Sequence, residues 1–225
     1  MKQRLAIILL SICLCITSTE TYAYTSNPLL PEADVLIDVG HGGIDSGAIF
    51  GKYEEKDMNL AISKKTYKLL KKKGYRVAVN RNKDYALSDD NRWSSGGRHR
   101  KDLAQRAGIA NTIKPKIMLS LHINFSNKID RRGPLVIYQN KSDSILLANL
   151  LQQSLNRVYG IEEMPVLGKK YYVLKHSKCP AVIVELGFIS NKIDRKMLND
   201  SHHQSRLAEA IATSVEQYFA MIHPS

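Results

Sequence analysis

Short apolar runs and longer amphipathic stretches alternate along most of the chain. Val35-Leu36-Ile37-Asp38-Val39 is rich in β-branched residues and stops at Gly40, the pattern of a buried strand. Asp57 is placed as the N-cap of a helix reaching Lys73, because Met58, Ala61, Ile62 and Leu69 share one face and Gly74 closes it. Residues 75–80 predict the next strand. Residues 84–100 are polar and contain Ser94-Ser95-Gly96-Gly97, which predicts a mobile loop, and a helix follows over 101–112. Strands are expected at 117–121, 135–138 and 181–185. Leu147, Leu150, Leu151, Leu155 and Val158 mark one amphipathic helix, and Leu207, Ile211, Val215, Tyr218 and Ile222 a closing one. Residues 161–178 show no regular period. Strands alternating with helices predict an α/β fold, a mostly parallel sheet covered on both faces, in a single domain over residues 33–223.

The length, 225 residues, suits one such domain, and no repeat of solenoid type is present. The first residues read as an export signal. Lys2 and Arg4 precede an apolar run from Leu5 to Ile16, and Thr21-Tyr22-Ala23 offers a small-x-small cleavage site. Residues 1–23 are therefore expected to be a signal peptide and 24–32, with Pro28 and Pro31, a linker. The run is short for a membrane span, so no integral span is expected after cleavage. Cys13 and Cys15 leave with the signal; Cys179 alone remains, which excludes an internal disulfide. A net charge of +12 asks for an anionic partner. Export to the envelope or the exterior turns that expectation from nucleic acid toward acidic wall polymers.

Three apolar strands end in a residue able to do chemistry. The first runs into Gly40-His41-Gly42-Gly43, another into His122-Ile123-Asn124, and the last into Glu185-Leu186-Gly187. Ligands of open α/β sheets collect beyond the carboxyl ends of the strands, so these three groups are expected at one edge. Glu54-Glu55 follows in the loop after the first strand. A catalytic zinc takes three protein N/O ligands and keeps one position open. His41, His122 and one of the two glutamates meet that need, and spacing does not separate Glu54 from Glu55. Glu185 is then a carboxylate outside the ligand set, available for proton transfer. No G-x-S-x-G elbow, H-E-x-x-H pair or P-C-x-x-C signature competes, and Cys179 beside Pro180 reads as structural.

Five segments together resemble the zinc-dependent N-acetylmuramoyl-L-alanine amidases of bacterial cell walls. They are residues 36–48 (L-I-D-V-G-H-G-G-I-D-S-G-A), 55–61 (E-K-D-M-N-L-A), 103–111 (L-A-Q-R-A-G-I-A-N), 120–124 (S-L-H-I-N) and 180–191 (P-A-V-I-V-E-L-G-F-I-S-N). The resemblance implies a twisted sheet of about six strands flanked by helices, one zinc ion held by His41, Glu55 and His122, and Glu185 as the catalytic glutamate. It also chooses Glu55 over Glu54. The implied reaction is hydrolysis of the amide between the muramic acid lactyl group and L-alanine in peptidoglycan. Val39 and Asn80 depart from the residues usual in the family, without touching the ligand set.

Residues 98–106 and 171–176 are similar to the germination-specific branch. That implies action in spore cortex, in the intermembrane space of the developing spore, during muramic δ-lactam formation, with an envelope or spore protein as activating partner. Asp38 is either a support for His41 or a strand-end aspartate with a purely structural bond, and Arg92, Arg98, Arg100 and Lys101 are candidate attractors of anionic stem carboxylates or wall polymers. The alternatives are a zinc carboxypeptidase using the same ligands and a wall-binding protein without turnover.

Overall fold

The computed structural model describes residues 32–88 and 95–222. The expected signal peptide, and the linker apart from Glu32, lie outside the described residues. Along the chain run β1 (Val35–Val39), β2 (Ile49–Phe50), β3 (Tyr53–Glu54), α1 (Glu55–Lys72), β4 (Val77–Val79), α2 (Ser95–Ile113) and β5 (Ile117–Asn124). There follow β6 (Leu135–Tyr138), α3 (Ser142–Tyr159), β7 (Val166–Leu167), α4 (Tyr172–His176), β8 (Ala181–Phe188), α5 (Lys192–Leu198) and α6 (Ser201–Ile222). Six strands form one sheet in the order β4-β1-β5-β8-β6-β7, and β2 and β3 make a separate hairpin.

All neighbours in the main sheet are parallel except β6, which runs antiparallel to β8. The exception has a local cause. Parallel neighbours need a crossover, usually helical, whereas β6 is entered from β5 through residues 125–134, which hold no helix. The sheet separates two apolar layers. Val35, Ile37, Leu119, Leu121, Val182 and Val184 pack with residues of α1, α3 and α6 on one face. Leu36, Met118, Ile137 and Ile183 pack with residues of α2 and α4 on the other. Central strands buried on both faces explain why they read as continuous apolar runs rather than alternating ones.

The structure differs from the sequence expectation at several boundaries. Helix α1 begins at Glu55, two residues before the expected cap at Asp57. Its first free N–H groups are met by the preceding loop instead, Glu55 N donating to Ala48 O (2.9 Å) and Lys56 N to Ser46 O (3.1 Å). Helix α2 begins at Ser95, so residues 95–100 are helical where a loop was expected. The serine and glycines occupy its first turn, where intrahelical partners for the N–H groups are missing whatever the residue. Strands β5 and β8 each run three residues further than expected, to Asn124 and Phe188, and α5 and the β2–β3 hairpin are additional. Residues 161–178 hold β7 and the five-residue α4.

Candidate metal and acid–base site

The carboxyl ends of β1, β5 and β8 lie side by side, and the four expected residues meet there. His122 and Glu185 are directly opposite each other across β5 and β8. His41 stands two residues past β1 in a left-handed backbone conformation (φ 57°). Glu55 enters from the first turn of α1 and is almost fully buried. Its Oε2 lies 3.2 Å from His41 Nε2 and accepts a hydrogen bond from Ala48 N at 2.9 Å. Its Oε1 lies 3.0 Å from His122 Nδ1 and accepts from Ile123 N at 2.9 Å. Glu54 turns away and pairs with Lys56 at 3.2 Å. Of the two glutamates that spacing left open, Glu55 is the one in contact with both histidines.

Two glycines of the first motif are explained by this crowding. A Cβ on Gly40 would come within 2.5 Å of the His122 ring. One on Gly47, whose φ is +66°, would meet both Glu55 Oε2 and the His41 ring. Side chains of the site lie directly against bare backbone.

The donor set fits a cation. One nitrogen from each histidine and one Glu55 oxygen lie within 4.8 Å of one another, the only such group among the described residues. Two imidazoles and a carboxylate are borderline-to-hard donors of the kind zinc takes. The electrostatics agree. Burial opposes charge on His41, yet hydrogen bonding and attraction from Asp45 and Glu55 push its pKa up to about 10. Burial likewise opposes charge on Glu55, but the two histidines hold its carboxyl well below the usual range. Glu55 is therefore held ionised between the two imidazoles, and a metal ion there would displace the proton that His41 otherwise keeps.

Glu185 has a different environment. Its Oε2 is shielded from solvent and has no hydrogen-bond partner. Burial is the main cause that pushes its pKa up to about 7, with Glu55 adding to the rise and the histidines opposing it. Cys179, by contrast, is pushed up to about 11 by burial, the reverse of what a thiolate nucleophile needs.

Asp45 and Arg106 are parts of the site that the sequence patterns did not single out. Asp45 Oδ2 lies 3.1 Å from His41 Nδ1, leaving Nε2 for the Glu55 side. The Asp38 carboxylate does not touch the His41 ring. It accepts from Ser120 Oγ (2.6 Å), from Asn80, and from Arg106 Nη1 (2.7 Å). Arg106 in turn donates to the backbone carbonyls of Val39 (2.8 Å) and His41 (3.3 Å) and pairs with Asp102. Arg81 Nη2 holds Gly40 O at 2.9 Å. Two buried arginines thus clamp the turn that carries His41. A polar residue repeated three or four positions apart, as in Asp102 and Arg106, was the signal available in the sequence. Of the other basic candidates, Arg98, Arg100 and Lys101 lie in the first two turns of α2, and Arg92 lies outside the described residues.

This clamp leads to a stability prediction. Arg106→Met leaves Asp38 and Asp102, each at most 3% exposed, without their shared cation. Breaking a buried charge network from one side costs about 3–5 kcal/mol. The urea midpoint of the purified domain should fall accordingly; an unchanged midpoint would show that the network adds nothing to stability.

The site opens into a cavity of about 290 Å³ between α2 and α4. A larger groove, about 1080 Å³, lies between α3 and residues 160–165, away from the histidine–glutamate group. An open, mostly parallel α/β sheet with this donor set and a half-buried carboxylate, its Oε2 shielded and unpartnered, at its carboxyl edge defines a hydrolytic enzyme. The family follows from comparison with known proteins. Residues 35–217 match the N-acetylmuramoyl-L-alanine amidase family, and the chain belongs to it.

Among relatives, YqiI of Bacillus subtilis (strain 168) is 30% identical over 188 residues, 82% of this chain and 84% of that protein. The germination-specific N-acetylmuramoyl-L-alanine amidase of the same organism is 27% identical over 189 residues, 82% of this chain and 79% of that one. The CwlD amidase of Clostridioides difficile, solved in complex with the GerS lipoprotein, superposes with a TM-score of 0.80 at 30% identity. The match covers 84% of this chain and all of that one. The protein is an N-acetylmuramoyl-L-alanine amidase, acting on the bond between N-acetylmuramic acid and L-alanine in peptidoglycan. No helix among the described residues is long and apolar enough to cross a membrane.

Proposed function

We propose that this amidase is zinc-dependent, with His41, Glu55 and His122 as the ligands and Glu185 as its general base and acid. The observation that carries the reading is the pairing of a cation-favouring histidine–glutamate group with a carboxylate that has no partner of its own. Zinc held there would supply Lewis-acid charge that makes water reactive near neutral pH and draws the scissile carbonyl oxygen. Before the C–N bond breaks, Glu185 takes one proton from the attacking water as the water oxygen bonds to the lactyl carbonyl carbon. It then returns that proton to the L-alanine nitrogen, so that a lactyl carboxylate and a free amino terminus leave. A pKa near 7 suits a group that must both accept and donate at neutral pH. Asp45 orients His41, and the Arg81 and Arg106 clamp keeps its turn in place.

The same reading takes residues 1–23 as an export signal, 24–32 as a linker and 33–223 as the catalytic domain. The likeness to the germination-specific amidase and to CwlD supports a role in spore cortex. That CwlD was solved with a lipoprotein supports an envelope or spore protein as activating partner. The test is digestion of purified cortex and vegetative sacculi followed by end-group analysis. New L-alanine amino termini that vanish on chelation and return with zinc are expected. Release of single carboxy-terminal amino acids would mean a carboxypeptidase instead, and binding without new termini a protein that does not turn over.

A further inference from the structure

The cavity beside Glu185 has a definite make-up. It is lined by Glu185 and Ile183 of β8, Leu103 of α2, Val173 of α4 and Tyr171. Its charged groups are mostly spoken for. Asp102 pairs with Arg106, and Asp45 faces His41. Lys170, exposed at the same cavity, has no carboxylate within ion-pair distance among the described residues.

We infer that this cavity is the subsite for the stem peptide, with Lys170 binding the carboxylate carried by the residue after L-alanine. The inference rests on the reading of Glu185 as the acid for the leaving amine. If the L-alanine nitrogen lies against Glu185, the peptide must continue from that point into the space next to it. Leu103, Val173 and Ile183 offer apolar contact for the alanine methyl. Each extended residue advances the chain by about 3.3–3.6 Å, so the second residue lies about 7 Å on. That is the linear dimension of a cavity of about 290 Å³. Whole-ligand pockets run to about 300–1,000 Å³, so this one suits one or two residues rather than the disaccharide. A cation without an acid partner at that place selects a carboxylate over a carboxamide.

The test uses two N-acetylmuramoyl-L-alanyl dipeptides that differ only in a free or amidated carboxylate on the second residue. Wild-type enzyme should cleave the free form with a KM lower by about fivefold, the upper range for one exposed charge contact. Lys170→Gln should bring the two KM values together with kcat on the free form little altered, while Lys170→Arg keeps the preference. Lys68→Gln, on the outer face of α1, removes the same charge elsewhere and should keep it too. A wild-type enzyme indifferent to amidation, or a Lys170→Gln variant with the preference intact, overturns the subsite. Failure of wild type to cleave either dipeptide, with sacculi also undigested, would instead overturn the amidase mechanism beneath it.

Discussion

Glu185→Gln should retain its zinc and lose nearly all turnover. The substitution keeps the size of the side chain and removes only the exchangeable carboxylate, in a place where that carboxylate makes no hydrogen bond the fold depends on. Folding and the neighbouring donor set should therefore be undisturbed. General acid–base catalysis contributes about 10²–10⁴-fold, and one residue here serves both half-steps, so turnover on peptidoglycan should fall within that range. The informative experiment measures zinc per mole and turnover on the same preparation. Zinc lost together with activity would make Glu185 a ligand. Zinc and activity both retained would leave the reaction without the base assigned to it.

His122→Ala should do the opposite and lose metal and activity together. Removing the imidazole takes away one of three donors and the partner that holds Glu55 Oε1 at 3.0 Å. Residues that merely support metal ligands change affinity by about 10–100-fold when removed, and a ligand itself should exceed that. Competition with a chromogenic chelator reads the affinity without reference to catalysis. Glu54→Ala is the matched control, because Glu54 faces Lys56 and not the histidines. Its zinc affinity should equal that of the unaltered protein. Wild-type affinity in His122→Ala, with the fold intact by circular dichroism, would sink the ligand assignment.

Much of this site is legible in the amino-acid sequence alone. Buried strands announce themselves by uninterrupted β-branched runs, and the carboxyl ends of such strands are where open sheets place their chemistry. That argument suffices to bring His41, His122 and Glu185 to one edge. The glycines of the first motif are visible as letters, but their purpose is not. Gly40 and Gly47 are needed because of the His122 ring and the Glu55 carboxylate, and the ring comes from a strand tens of positions away.

Patterns of period 2 and 3.6 report which face of an element is buried. They therefore determined the α/β class and the order of the main strands and helices, but not β2, β3, β7, α4 or α5. They carry no information on which distant elements touch. Spacing left Glu54 and Glu55 open and only the resemblance preferred Glu55; the contact of Glu55 with both histidines and the clamp of Arg106 on the His41 turn belong to the tertiary structure. So do the partners of Asp38, which are Arg106, Asn80 and Ser120 and not the His41 ring, the structural one of the two roles open to it. The reason is physical. A buried charge is satisfied by whichever opposite charge or dipole the packing delivers, and packing is a property of the whole sheet and not of any one segment of sequence.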